Sequence, residues 1–485
     1  MTPDCKKKSI LLVNPWIHDF AAYDFWMKPL GLLYVGAILR AAGYEVGLLD
    51  CLDLTSGPPQ FTPALKPPQR RDFGRGHFYK ENIPKPEALR DIPRQYRRYG
   101  IPPQVLREMM ATFPRPDLIL ITSSMTYWYT GLSETIQFLR QNLPGVPVCL
   151  GGTYATLCTD HAAKYSGADR ILSGPWEGEK MRILSEYLGS SSSPIQEKFS
   201  SWPYPAFDLY PRLGYVCLLT RRGCPFSCTY CAAPRLARGM ESRSPLQVIE
   251  EVIFWKDKRG VYDFAFYDDA LLINPAGHIV PLLREVIARG IGCRFHTPNA
   301  LHIQAIDEEV AGLIYRGGFR TIRLGLETAN EITQRETGGK VDNREFQRAV
   351  RNLKRAGYGG EEIGVYLMAG LPGQRVEEVE ESMALVRESG ARPLLVEYSP
   401  IPGTPMFEKA RKMSPDELLP TVPVRASPMG TRRAMRLSWW AMSGASVATT
   451  AMTEPWSLPR SLSWPISRPT GTPRMVKSSR RPKFD

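Results

Sequence analysis

Short apolar runs separated by amphipathic stretches constrain this chain more than any other feature. Residues 9–15 (SILLVNP), 44–50 (YEVGLLD), 117–123, 146–151 and 169–174 each read as a buried strand, and residues 30–42, 132–143 and 178–188 carry helical spacing. Alternation of this kind predicts a parallel sheet with helices on both faces. The alternation resumes further on. Strands are expected at 215–220, 263–267, 292–297, 321–325, 363–368 and 394–399, with helices at 245–258, 277–289, 307–315, 343–356 and 376–389. A closed eightfold barrel takes about 250 residues, or about 31 per strand and helix, so this stretch holds about six units. It predicts a partial barrel.

The expected organisation is α/β throughout: a Rossmann-like domain over 1–188 with an insertion at 57–115, a linker over 189–204, a partial (βα)6 TIM barrel over 205–410, and an irregular tail over 411–485. The insertion is rich in Pro, Arg and Tyr and too long for an ordinary loop, so it reads as a lid or an added element with no assigned role. The linker is Ser-rich from Gly189 to Ser201.

Charge does not point to nucleic acid. The net charge is +13, but residues 421–485 alone hold 11 Lys and Arg against 2 Asp and Glu, while residues 1–420 hold 51 against 47. The basic excess belongs to the tail. Two readings stand for that tail, a disordered basic segment and one translated out of frame; four of the 10 Trp (Trp439, Trp440, Trp456 and Trp464) fall in it, which favours the second. The 9 cysteines are odd in number and scattered, no signal-like start is present, and no apolar run approaches the roughly 20 residues of a membrane span. A reducing cytoplasm is expected.

Residues 221–235 read RRGCPFSCTYCAAPR, which places Cys224, Cys228 and Cys231 in a C-x3-C-x2-C run after the first barrel strand. Clusters of the 4Fe4S type usually take four cysteine ligands, so three leave one iron open. A zinc site or three unrelated core cysteines are the plainer readings; zinc wants a fourth Cys or His close by, and none follows Cys231 within 40 residues.

With Tyr230 as the aromatic, C-x3-C-x-aromatic-C resembles the signature of the radical S-adenosylmethionine (SAM) superfamily. The resemblance implies that Cys224, Cys228 and Cys231 ligate a 4Fe4S cluster as metal and catalytic residues. The amino and carboxylate groups of SAM would then chelate the open iron, and an electron would cleave the sulfonium bond to methionine and a 5′-deoxyadenosyl radical. Tyr230 would lie beside the adenine. Asp268 and Asp269 (FAFYDDALL), Glu327 (RLGLETAN) with Arg323 on the same strand, Gly370 and Pro372 (GVYLMAGLPG), and residues 398–410 (YSPIPGTPMFEKA) resemble the family's later strand ends. The ordinary readings are a helix cap for the Asp pair and Glu327, and a turn for Gly370, Pro372 and Gly373.

The N-terminal half resembles the cobalamin-binding domain of one branch of that superfamily. Its cues are LLVNP (11–15), KPLGLLYVGAILRAAGYEVGLLD (28–50), LGGTYATL (150–157) and SGPWEGE (173–179). Gly151 and Gly152 would let a flat ligand approach the backbone. No D-x-H-x2-G occurs at any of the six His, so cobalt ligation by that motif is excluded. His18, Asp19 and His296 are expected to be satisfied polar groups. The resemblance covers residues 9–410 and implies a 4Fe4S cluster, SAM and cobalamin as cofactors, with methyl transfer or rearrangement on a small-molecule substrate. It further implies an external electron donor of flavodoxin or ferredoxin type. Two alternatives remain: a tRNA methylthiotransferase, which would want a second cysteine trio that Cys51, Cys149 and Cys158 do not make, and a non-catalytic iron-sulfur or cobalamin-binding sensor.

Overall fold

The structure, a computed structural model, describes residues 7–54, 68–90, 92–111, 113–176, 178–189, 198–237 and 239–413. The tail beyond 413, with its out-of-frame reading, lies outside them. The N-terminal sheet is built from β1 (Ser9–Asn14), β2 (Glu45–Asp50), β3 (Leu118–Ile121), β4 (Val148–Leu150) and β5 (Arg170–Ile171), in the order β5-β4-β3-β1-β2, all parallel. Helices α1 (Leu30–Ala41), α2 (Tyr129–Asn142), α3 (Thr153–Leu157) and α4 (Gly178–Leu188) follow strands of this sheet. Near-continuous apolar strands such as LILI in β3 are what two covered faces require.

The second sheet runs β6 (Val216–Leu218), β7 (Asp263–Phe266), β8 (Arg294–His296), β9 (Phe319–Glu327), β10 (Ile363–Ala369) and β11 (Arg392–Glu397), parallel and in chain order. Six parallel strands in sequence, each pair joined through helix, give the expected partial barrel. Its principal helices are α5 (Ala233–Leu236), α6 (Pro245–Arg259), α7 (Ile279–Ala288), α8 (Glu308–Arg316), α9 (Glu331–Thr337), α10 (Asn343–Ala356), α11 (Val376–Glu388) and α12 (Pro405–Met413). Capping boxes at Ser244 and Asp342 start α6 and α10, and the left-handed Gly260 ends α6.

Two regions differ from the sequence reading in a way that matters. The described part of the linker is packed: Phe199 is buried in it, just beyond it Phe207 and Tyr210 are buried and Arg40 holds Asp208 at 2.6 Å, so one hydrophobic core runs from the N-terminal sheet into the barrel. The insertion is also built. Arg97–Tyr99 pairs antiparallel with Ile17–Asp19 on one side and with Lys80–Asn82 on the other, and Gly76–His77 pairs with Tyr23–Asp24. These pairs carry Phe25, Trp26, Phe73 and Arg75 against the barrel: Trp26 stacks on His296 at 4.4 Å, and its carbonyl accepts from Cys217 at 3.2 Å and from the Tyr267 hydroxyl. Among the described residues no helix is long and apolar enough to cross a membrane.

Candidate active site

The loop after β6 carries Cys224, Cys228 and Cys231, all free and partly exposed. Neighbouring segments hold it in place. The Thr229 amide donates to the Thr337 carbonyl (3.2 Å), the Met406 amide donates to the Thr229 carbonyl (2.9 Å), and Cys231 N–H closes a turn onto Cys228 (3.0 Å). Gly338, at φ +130, lies where a Cβ would press within 3.2 Å of the Cys228 Cα, so only glycine lets the chain pass this close. Burial pushes the Cys224 and Cys231 thiols up, each next to further sulfur and carboxylate charge. A positive cluster core would reverse that, because a bound metal draws off the thiol proton outright.

The three cysteines line one cavity of about 190 Å³ with Tyr230, Asp269, Asn299, His302, Gly325, Glu327 and Lys340. Its far wall is the end of β9. A register shift between Gly325 and Glu327, with Glu327 at φ +67, turns that carboxylate inward. Lys340 meets Glu327 at 2.8 Å and stands 5.7 Å from the Tyr230 ring. Burial opposes the Lys340 ammonium, but Glu327 together with Cys228 and Cys231 outweighs it and holds the lysine above its usual range. His302 stacks on Phe226 at 4.8 Å, and burial lowers it to about 4, so the imidazole is neutral with Nδ1 unpartnered. The Tyr230 hydroxyl is likewise buried without a partner.

Three thiols on one wall, with a cation, a carboxylate and unspent polar atoms opposite, suit a metal cluster plus a zwitterionic ligand. Among the described residues no three His, Cys, Asp or Glu side chains close on a single ion. A mononuclear zinc site is therefore not formed by these residues as they stand.

The remaining expected residues divide. Asp268 does not line the cavity; both its oxygens face Thr220, whose hydroxyl donates at 2.6 Å and also meets His278 at 2.7 Å. It braces a strand end while its neighbour Asp269 reaches the cavity. Arg323 sits deeper on β9 and is also absent from the lining. Gly370 and Pro372 shape the turn after β10, where the Gln374 amide oxygen accepts from the Gly370 (2.8 Å) and Leu371 (3.2 Å) amides. Sequence reasoning missed Lys340, Gly338 and His302. The TGGK run at 337–340 was the available signal, since two glycines after a short helix mark close chain approach.

Gly151 and Gly152 follow β4, and Ser123 Oγ donates to the Gly151 carbonyl at 2.9 Å. The helix that follows them, α3, packs against α5, the helix that follows Cys231, and Ala232 enters the same apolar cluster as Leu150 and Tyr154. The glycine edge and the cysteine loop are thus brought together. Asp19 accepts from Trp128 at 2.9 Å and His296 lies between Thr321 and Asp263 at 3.1 Å each, so these two are satisfied, whereas His18 Nε2 stands 2.5 Å from Glu134 without hydrogen-bond geometry.

Comparison with known proteins agrees with this geometry. Residues 218–386 match the family described as the Radical SAM superfamily. The chain is 22% identical over 486 residues to cytidylyl-2-hydroxyethylphosphonate methyltransferase of Streptomyces wedmorensis, covering 85% of this chain and 84% of that protein. It is 26% identical over 334 residues to the anaerobic magnesium-protoporphyrin IX monomethyl ester cyclase of Cereibacter sphaeroides, covering 61% of this chain and 53% of that one. In fold it is similar to the radical SAM methyltransferase TsrM of Kitasatospora setae, solved with cobalamin and a [4Fe-4S] cluster bound. That likeness has a TM-score of 0.60 at 18% identity and covers 87% of this chain and 80% of that one. By the cysteine loop, the cavity it opens on and the matched barrel, the chain belongs through residues 218–386 to the radical SAM superfamily.

Proposed function

We propose that this protein transfers a methyl group to, or rearranges, a small-molecule substrate by radical SAM chemistry, with cobalamin as a second cofactor at the N-terminal sheet edge. The observation that carries the reading is the meeting of α3 and α5, which sets the glycine edge beside the cysteine loop. The likeness to a cobalamin-bound methyltransferase fold supports it.

Cys224, Cys228 and Cys231 would hold a 4Fe4S cluster, which would pass on the electron that cleaves SAM and, with three cysteine ligands, would leave one iron open. The chain's own residues do the rest. Lys340 presents a buried ammonium to the carboxylate side of a zwitterion, and Glu327 presents an acceptor to its amine side, so such a ligand replaces the Lys340–Glu327 pair with two pairs of its own. Tyr230 and His302 keep a phenol and a neutral ring nitrogen free for further bonds. At the other edge, the crevice among Asn14, Trp16, Ser123 and Trp128 measures about 20 Å³. That is room for about one water. A corrin ring does not fit this crevice as it stands, so the cobalamin reading rests on the glycine edge beside the cysteine loop and not on this crevice.

The reaction needs an external reductant, for which a flavodoxin- or ferredoxin-type donor is proposed. The test is electron paramagnetic resonance of anaerobically reconstituted, reduced protein with and without SAM, followed by mass spectrometry for 5′-deoxyadenosine and by gel filtration with cobalamin. A cluster signal shifted by SAM, together with cobalamin absorption that co-elutes, supports the proposal. A signal indifferent to SAM favours a non-catalytic sensor, and loss of cobalamin on the column removes the second cofactor.

A further inference from the structure

Most buried charges in and around the barrel are paired. Glu251 holds Arg243, Asp263 holds Arg294 at 2.6 Å, and Glu327 holds Lys340 at 2.8 Å. Three guanidiniums break the pattern. Arg221, 5% exposed, is spent on the Ser242 hydroxyl at 2.8 Å and the Ile273 carbonyl; the other two are less fully satisfied. Arg323, on β9, is 7% exposed; its Nη1 donates to the Ile322 carbonyl at 2.8 Å, the Tyr366 hydroxyl lies beside it, and its Nε is buried with no partner. Arg75, from the insertion, is 6% exposed and donates its Nε to the Asp72 carbonyl at 3.1 Å. Both lie against the ring of Phe25, at 5.7 Å for Arg323 and 5.8 Å for Arg75.

Among the described residues neither forms an ion pair with a carboxylate. The nearby acids are committed elsewhere: Asp24 accepts from Tyr215 and Arg70 at 2.7 Å each, Asp263 is taken by Arg294 and His296, and the Asp72 side chain is exposed. Arg71 and Arg392 add further positive charge around them. A guanidinium does not give up its proton in a protein, and an uncompensated buried ion is strongly unfavourable. The two ions share the Phe25 ring, Arg75 also lies over Trp26 at 5.5 Å and Phe73 at 5.6 Å, and neither has an anion beside it.

We propose that Arg323 and Arg75 form an oxyanion subsite in the barrel lumen that receives a phosphoryl or carboxylate group of the substrate. The placement fits that role. Arg323 lies on the same face of β9 as Gly325, which lines the cysteine cavity, and two residues of strand put it about 7 Å deeper. A molecule anchored there by its charged end reaches up toward the site of radical formation. The subsite also gives the insertion a task, since Arg75 enters the barrel only because residues Gly76–His77 pair with Tyr23–Asp24.

This inference rests on the radical SAM reading for its substrate, but its test does not use the cluster, so the two fail separately. The full-length protein is titrated calorimetrically with inorganic phosphate and with acetate, chloride at equal ionic strength serving as the blank. One saturable site is expected in the wild type, with phosphate against acetate telling which oxyanion it prefers, and affinity at least tenfold weaker in Arg323→Met and in Arg75→Met. The exposed Arg284→Gln serves as the unaffected control. In chloride alone, Arg323→Met is expected to melt no lower than the wild type, because it removes an unpaired buried charge, whereas a merely structural arginine would lower the melting point. Absence of saturable binding of either anion, or equal binding by wild type and variants, overturns the proposal; if Arg323→Met does not fold, Arg75→Met decides it.

Discussion

The chain contains two parallel sheets of similar construction whose carboxyl-end edges are treated in opposite ways. At the N-terminal edge most polar groups are spent on the chain itself, Trp176 Nε1 and His18 Nε2 excepted: Asn14 donates to Asp50 at 2.8 Å, Tyr210 donates to Asp50 at 2.6 Å, and Lys28 holds Asp53 at 2.9 Å. At the barrel edge they are left over. Three thiols, the Tyr230 hydroxyl and the His302 Nδ1 face or border a cavity nearly ten times larger than the crevice at the other edge. Buried polar groups are ordinarily satisfied, so the edge that leaves them unsatisfied is the one built for a ligand. The same architecture thus yields a closed face and a reactive one, according to which side chains follow the strands.

The sharpest way to break this contrast is to exchange cysteines between the edges. Cys228→Ala is expected to abolish the cluster and all SAM cleavage, read as iron content and 5′-deoxyadenosine after anaerobic reconstitution. Cys149→Ala is expected to leave iron content unchanged and to cost about 1–2 kcal/mol of stability, since it removes only a small buried group. That thiol lies in the core, where burial raises it to about 12, too high for a ready metal ligand. Equal iron in both variants would mean that the barrel edge is not the metal site.

A smaller effect is expected from the cation opposite the thiols. Lys340→Met should weaken SAM binding by about tenfold or more, roughly 1.4 kcal/mol per factor of ten, and leave the Glu327 carboxylate buried without its partner. The double variant Lys340→Met/Glu327→Gln should recover stability without recovering affinity. Equilibrium SAM binding and thermal melts separate the two. Recovery of SAM affinity in the double variant would make the pair structural and return it to the class of the N-terminal ion pairs.

How much of this was legible beforehand follows from the range of each interaction. The cysteine run, the strand alternation and the glycine pair are local patterns, and the strands at β1, β7 and β10 fall where the apolar runs place them. Lys340 lies 109 residues from Cys231, and only the packing of α9 against the loop brings it to the cavity. The Asp pair was legible as a pair, but which member faces the cavity is set by Thr220, 48 residues away. The insertion resisted reading because its strands are two or three residues long and pair with equally short partners.

Asp268 supplies a test of the barrel edge by pH. Burial pushes its carboxyl up to about 7, against the pull of the Thr220 bonds. The folded state therefore keeps a proton that the unfolded state releases near 4, so this contribution to stability is full below about pH 4 and is lost as pH rises to about 7. Between pH 5 and 7.5 the wild type should lose about 2–3 kcal/mol more than Asp268→Asn, whose amide oxygen still accepts from Thr220. Denaturant titrations at the two pH values measure it. Parallel losses would show an ionised, ordinarily solvated Asp268 and remove the distinction drawn between it and Asp269.

The smallest effect separates the two glycines at the N-terminal edge. Gly152 sits at φ +93, and a Cβ there would stand 2.7 Å from the Ser123 nitrogen, so Gly152→Ala is expected to cost about 1–3 kcal/mol. Gly151 has ordinary backbone geometry and its nearest neighbour, the Leu172 carbonyl, is 3.9 Å from such a Cβ, so Gly151→Ala should change stability by under about 0.5 kcal/mol. Thermal melts give the ranking. Cobalamin retention on gel filtration then gives the meaning, because a methyl at Gly151 touches only the Leu172 carbonyl, at ordinary contact distance, and is otherwise in open space. If Gly151→Ala melts like the wild type yet releases cobalamin, the edge receives a ligand despite its largely self-satisfied polar groups. If it melts and binds like the wild type while Gly152→Ala only destabilises, the glycines serve the chain alone, and the closed face is closed to cobalamin at this point.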